Sequence, residues 1–186
     1  MKNKQKSKVY DMAYIALFAV LMAICSWIAI PMTVPFTLQT FAVFLTVYLL
    51  GGKRGTIAVL VYIFLGGIGL PVFSGFTGGV GILFGNTGGY IFGFVGLAIV
   101  MWAGEKIGKE RLWMRILSMV LGLLVCYAIG TVWFQILYLR TTGAIGIFSV
   151  LGLCVFPFIL PDLLKMALAV FIGERVKKFV HKRTGQ

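Results

Sequence analysis

Two charged residues, Asp162 and Lys165, stand in an otherwise apolar stretch, within the run Pro161-Asp162-Leu163-Leu164-Lys165. In hydrocarbon an unpaired charge costs several kcal/mol, so an ionisable residue there is a functional candidate. Spacing of three puts both side chains on one face of a helix, close enough to interact. Such a pair can neutralise itself and fix the rotation of its helix, a role that apolar residues would fill at little cost. It can also offer a ligand two kinds of contact: a carboxylate that accepts N–H groups and a cation that attracts an anion or polar acceptor. Proline is tolerated at the first turn of a helix, so the last helix is expected to begin near Pro161. Both charges then fall in its first turn, where free N–H groups and a partial positive charge also favour an acceptor.

The second constellation is the segment 75–93, GFTGGVGILFGNTGGYIFG, with eight glycines, no charge and Thr-Gly-Gly twice. Irregular backbone is viable at membrane depth only when buried in protein or lining a cavity. Glycine lets the main chain approach a ligand closely, and Asn86 adds an amide with donors and acceptors. Tyr90, one turn into the following helix, adds an aromatic face and a hydroxyl. Gly66, Gly67, Gly93 and Gly96 read as small residues for tight helix packing. The glycines around Asn86 point instead to a loop that lines a ligand site. A phosphate cradle does not fit, because a P-loop needs GxxxxGK[S/T] after a strand. The segment has no Lys or Arg, and Gly104-Glu-Lys-Ile-Gly108-Lys109-Glu110 has the wrong spacing and no hydroxyl. The chain carries no ATPase motif of its own.

Enzyme chemistry is poorly served. The single His181 lies in a basic tail, which removes Ser–His and HExxH arrangements. Asp162 is the only acid well inside an apolar run, which removes a paired-carboxylate mechanism. Cys25, Cys126 and Cys154 form no CxxC pair and read as small packing residues. No metal, cofactor or catalytic group is indicated, and binding or transport is left.

The elements that must position these residues follow from composition. The chain is 60% hydrophobic and 12% charged, with a mean hydropathy of +1.02. Residues 12–52, 55–104 and 116–139 hold no Asp, Glu, Lys or Arg, and a bilayer span needs roughly 20 such residues. The fold class is therefore an all-α integral membrane protein, one transmembrane domain over 1–186. Spans are expected at 10–30, 36–50, 55–71, 89–104, 115–139 and 160–176. Residues 143–158 are left for a short helix or re-entrant piece near the outer surface. The N-terminal run from Ala13 to Ile30 is long for a signal core and lacks a small-x-small cleavage site, so it reads as a retained helix.

The net charge of +12 is explained by orientation rather than by nucleic acid. Lys2, Lys4, Lys6 and Lys8 precede the first span, and Lys53 and Arg54 separate the second from the third. Lys106, Lys109, Arg111 and Arg115 follow the fourth, and Arg175, Lys177, Lys178, Lys182 and Arg183 end the chain. These are fifteen of the seventeen basic residues. The positive-inside rule makes them cytoplasmic, giving six spans with both termini inside. Contact with anionic lipid headgroups is their natural further role. On the first helix, Ala13, Ala16, Ala19 and Ala23 recur at spacings of three and four. Such a small-residue stripe serves either internal packing or close approach of a partner helix.

The residues resemble the BioY family, the biotin-binding S components of energy-coupling-factor (ECF) transporters. The resemblance covers nearly the whole chain. It rests on Val34-Pro-Phe-Thr-Leu-Gln-Thr40, Leu50-Gly-Gly52, Gly66-Gly-Ile-Gly-Leu-Pro-Val72, Thr87-Gly-Gly-Tyr-Ile-Phe-Gly93 and Pro161-Asp162-Leu-Leu-Lys165. It implies a six-helix S component of the bacterial plasma membrane that binds biotin from outside. It further implies partnership with a transmembrane T component and two cytoplasmic ATPases, and it tips the alanine stripe toward docking, through the AxxxA spacing of Ala19 and Ala23. Gln39 and Thr87, from the matching motifs, join Asn86, Tyr90, Asp162, Lys165, Gly78 and Gly79 as implied substrate contacts. The ureido ring of biotin has two N–H donors and a carbonyl to pair with Asp162 and with Asn86 or Lys165. Its bicycle could pack on Gly78, Gly79 and Tyr90, and Lys165 could instead meet the valerate carboxylate. The alternative is a self-sufficient secondary transporter or facilitator of biotin or another small polar solute.

Overall fold

In a bilayer the main-chain polar groups must be satisfied within the segment, and the long uncharged runs accordingly become helices. The computed structural model describes the backbone of all residues except 1, 33, 109, 110, 142, 144, 145, 185 and 186, and it describes side chains except, in addition, those of 2–7, 141 and 180–184. Among the described residues the helices are α1 (Lys2–Trp27), α2 (Gln39–Leu50), α3 (Gly52–Gly67), α4 (Val80–Leu83), α5 (Gly88–Gly108), α6 (Leu112–Thr141), α7 (Ile147–Cys154) and α8 (Phe156–Thr184). Four stretches, 8–27, 88–108, 112–140 and 147–179, are long and apolar enough to cross a membrane. α2 is apolar but only 12 residues long, and α3 has 16.

Two departures from the expected boundaries matter. Residues 36–37 do not open α2. They form β2 (Phe36–Thr37), paired antiparallel with β1 (Ala29–Ile30) in a small hairpin between α1 and α2. The last helix begins at Phe156, not Pro161. The carbonyl of Val155 accepts the N–H of Phe158 at 2.9 Å, and Pro157 takes the first-turn position that proline tolerates. Pro161 is inside α8, so the unpaired N–H groups of the helix start lie a turn before Asp162 and Lys165. The short α7 occupies the region between the last two long helices.

α5 and α6 pack closely along their length because small residues line the contact. A Cβ on Gly93 would stand 2.8 Å from Cys126 Sγ, while Gly89 abuts Trp133, Gly104 abuts Ser118 and Gly130 of α6 abuts the Tyr90 ring. α2 lies between α3 and α8, and α1 covers α3 and α2. Phe44, Tyr62, Met22, Leu97 and Met119 are fully buried where these helices meet.

Within the glycine-rich segment, several glycines are required by close packing. Gly78 lies against the Leu70 carbonyl and Gly88 against that of Leu83, leaving no room for a Cβ. Gly79 enters α4 at φ +99°, a conformation that favours glycine.

One end of the bundle gathers several charged side chains among the described residues. Asp11 meets Arg54 at 3.0 Å, and the Glu105 carboxylate accepts the N–H of Gly52 at the start of α3. The Tyr48 hydroxyl donates to Glu174 at 2.6 Å, with Arg115 and Lys177 at 5.2 and 4.5 Å over its ring. Of the basic residues assigned to that side, Lys109 and the side chains of Lys2, Lys4, Lys6, Lys182 and Arg183 lie outside the described residues, as does that of His181.

Candidate functional site

At the other end the helices leave a cavity of about 280 Å³. α8 supplies its charged corner. Asp162 is 3% exposed and Lys165 6%, and Lys165 Nζ donates to Asp162 Oδ1 at 2.8 Å. The second oxygen, Oδ2, accepts the Tyr127 hydroxyl from α6 at 2.6 Å. The Lys165 ammonium also sits 4.1 Å over the Phe36 ring of the β1–β2 hairpin, so an aromatic face and a carboxylate share its charge. A carboxylate offers about four acceptor positions and an ammonium three donors. With two and one of these engaged, both groups keep capacity for a ligand in the cavity they line.

The remaining walls come from several other elements, with Leu123 and Cys126 of α6, Ile82 of α4 and Cys154 of α7 among them. Gln39 and Thr40 enter from the first turn of α2, and Tyr90, Ile91 and Phe94 from α5. Val34 and Pro35 close one side from the hairpin loop, and Phe73, Ser74 and Thr77 close another from the turn before α4. That turn is held by Trp27, whose indole N–H donates to the Pro71 carbonyl at 2.9 Å and whose ring stacks on Phe76 at 4.9 Å. Apolar walls with a few convergent polar groups are the usual form of a small-molecule site, and the volume is near the lower end of the range.

Of the residues singled out in the sequence, Gln39, Thr87, Tyr90, Asp162 and Lys165 come together around this cavity. Gly78, Gly79 and Asn86 do not line it. Asn86 is exposed, in the turn between α4 and α5, because that turn folds its backbone onto Leu83 and leaves the amide on the outside. Tyr90 offers its ring more than its hydroxyl, which lies 3.4 Å from both Thr131 Oγ1 and the Cys154 carbonyl. Tyr127 was not singled out. A phenol in the middle of an uncharged span needs a partner, and that signal could have found it.

The alanine stripe divides. Ala19 and Ala23 are buried at 2% and 4%, inside the chain's own contact between α1, α2 and α3. Ala13 and Ala16 are exposed. The AxxxA spacing of Ala19 and Ala23 therefore builds the core in this conformation, and only Ala13 and Ala16 are open to a partner.

Comparison with known proteins places this arrangement. Residues 1–182 match the BioY family. The biotin transporter BioY of Thermotoga maritima is 41% identical over 169 residues, spanning 90% of this chain and 95% of that one. A probable biotin transporter BioY of Pyrococcus horikoshii is 40% identical over 171 residues, spanning 91% and 98%. The crystal structure of the S component for biotin from an ECF-type ABC transporter superposes with a TM-score of 0.81 at 28% identity, covering 96% of this chain and 95% of that one. A match over nearly the whole chain, to transporters rather than enzymes and on a shared helical fold, makes this multi-pass membrane protein a member of the BioY family.

Proposed function

We propose that the protein is the substrate-capture component of an ECF-type importer, binding biotin from the outer side of the cell membrane. The observation that carries this reading is the Asp162–Lys165–Tyr127 cluster at the wall of an otherwise apolar cavity. Asp162 accepts a ureido N–H, Lys165 donates to the ureido carbonyl, and the bicycle lies against Tyr90, Phe94 and Phe158. Such buried, matched contacts favour selectivity, since an analogue lacking one leaves a protein group unpaired.

In this reading α1, α2, α3, α5, α6 and α8 form six spans with both termini cytoplasmic. The clustering of Arg54, Arg115 and Lys177 at the end opposite the cavity supports that orientation, and places those residues beside anionic lipid headgroups. Biotin is delivered through a transmembrane T component and two cytoplasmic ATPases, with Ala13 and Ala16 as the surface of α1 open to the T component. The named relatives, biotin transporters and a biotin S component, support the same assignment.

The test is calorimetry of biotin against the purified protein in detergent, with desthiobiotin and thiamine for comparison. One-to-one binding of biotin without ATP, with thiamine excluded, is expected. A folded sample that ignores biotin overturns the assignment.

A further inference from the structure

Gln39 reaches the cavity from the first turn of α2 and is 6% exposed. Its Nε2 donates to the Tyr62 hydroxyl at 2.8 Å, and the Tyr62 hydroxyl donates in turn to the Val72 carbonyl at 3.0 Å. A phenol has one hydrogen. While Val72 holds that hydrogen, the Tyr62 oxygen can only accept, so the amide must present its nitrogen to Tyr62. Ser26 Oγ lies 2.6 Å from the same Val72 carbonyl and 2.7 Å from the Ala23 carbonyl of its own helix, so its one hydrogen is divided between them and the Tyr62 hydrogen stays with Val72. Tyr62 is fully buried on α3 and does not itself line the cavity.

The direction of this chain decides what the amide shows to a ligand. Oε1 takes no part in the hydrogen bonds that Gln39 makes. Among the described residues no buried side-chain nitrogen or oxygen lacks a partner, so Oε1 must lie on the open, cavity-facing branch. A free amide in a cavity could turn over and offer either end. This one is held as an acceptor.

We propose that Tyr62 is a positioning residue that fixes the Gln39 carboxamide with Oε1 toward the cavity, so that the site reads a second N–H of its ligand in addition to the one taken by Asp162. The proposal rests on biotin as the ligand. A cyclic urea has two N–H groups flanking one carbonyl, and a site with two acceptors on different helices, α2 and α8, accepts both. A lactam or an ester of the same shape has one N–H or none, and leaves Gln39 Oε1 desolvated and unpaired. Discrimination of that kind is strong because the penalty is borne by a buried protein group.

The test measures binding of biotin and of its two mono-N-methyl derivatives by calorimetry, for the wild type, Gln39→Met and Tyr62→Phe. The wild type is expected to disfavour both derivatives at least tenfold. In Gln39→Met and Tyr62→Phe the penalty for one derivative should shrink at least fivefold while that for the other persists. A purely structural role for Tyr62 would weaken biotin and both derivatives alike, and that pattern overturns the proposal. In Tyr62→Phe the Ser26 hydroxyl, 2.6 Å from the Val72 carbonyl, can still supply it with a hydrogen. If it nevertheless fails to fold, Gln39→Met, which keeps Tyr62 and its bond to Val72 in place, tests the acceptor that Tyr62 is proposed to orient: retained discrimination overturns the proposal, and lost discrimination supports Gln39 Oε1 as the second acceptor. Wild-type protein that binds neither biotin nor its derivatives overturns the assignment of ligand. Tight biotin binding with unchanged penalties in both variants overturns the role of Gln39 and Tyr62 alone.

Discussion

The Tyr127 hydroxyl donates to Asp162 Oδ2 at 2.6 Å, and this bond joins α6 to α8 at the wall of the cavity. α6 packs chiefly on α5 and α8 chiefly on α2, so the bond links two parts of the bundle that otherwise meet little. It also gives a second partner to a carboxylate that is almost fully buried, beside Lys165. Tyr127→Phe leaves Oδ2 without that donor, at a cost of about 1–3 kcal/mol. The expected result is biotin affinity lowered about tenfold with the helical fold retained, read by calorimetry and circular dichroism. Unchanged affinity would place Asp162 outside the ligand's reach.

Asp162→Asn and Lys165→Ala should each weaken biotin binding at least tenfold. Stability separates them. Lys165→Ala strands a buried carboxylate, and breaking a buried pair costs about 3–5 kcal/mol. Combining Asp162→Asn with Lys165→Met removes both charges, and the double variant should melt above Lys165→Ala while still failing to bind. Wild-type affinity in either single variant would sink the site.

Asn86 lies outside the cavity on the exposed turn before α5. Asn86→Ala is therefore expected to keep biotin affinity within about twofold, as surface changes generally do. A tenfold loss would return that turn to the site.

Glycines of the same segment should respond according to their neighbours. Gly89→Ala drives a methyl group into Trp133, whereas Gly81 has nothing within 4 Å of a Cβ. Thermal melts should show Gly89→Ala destabilised by about 1–3 kcal/mol, the usual cost of overpacking. Gly81→Ala should be neutral or slightly stabilised, because alanine is the better helix former. Equal melting temperatures would show that α5 and α6 are not in close contact.

The exposed and buried alanines of α1 make opposite predictions. Ala16→Leu, on the exposed face, should leave biotin binding intact and reduce uptake supported by the T component and ATPases. Ala19→Leu, buried at 2%, should lower the melting temperature instead. Uptake unaffected by Ala16→Leu removes that face from the docking surface.

Composition and charge spacing alone were enough to mark a membrane bundle, the approximate place of its long helices and the pairing of Asp162 with Lys165. Those are local properties: an uncharged run of sufficient length must satisfy its own backbone, and a charge inside one must find a partner. What needed the tertiary structure were the relations between elements. The density of glycine reads the same in sequence whether the main chain meets a ligand or another helix, and only the tertiary structure shows Gly88 packed on Leu83 and Gly89 on Trp133 while Thr77, Thr87 and Tyr90 of the same segment line the cavity. The alanine stripe likewise has one spacing and two faces, and the position of α1 against α2 and α3 buries Ala19 and Ala23 while exposing Ala16. Proline at 157 or 161 is equally acceptable as a helix start, so the onset of α8 at Phe156 depends on the cap that Val155 provides. The partners of Asp162, Tyr127 from 35 residues away and Lys165 from three, show the division plainly. A helix brings residues three apart together by its own geometry, whereas a phenol on another helix reaches the same carboxylate only because the bundle has folded.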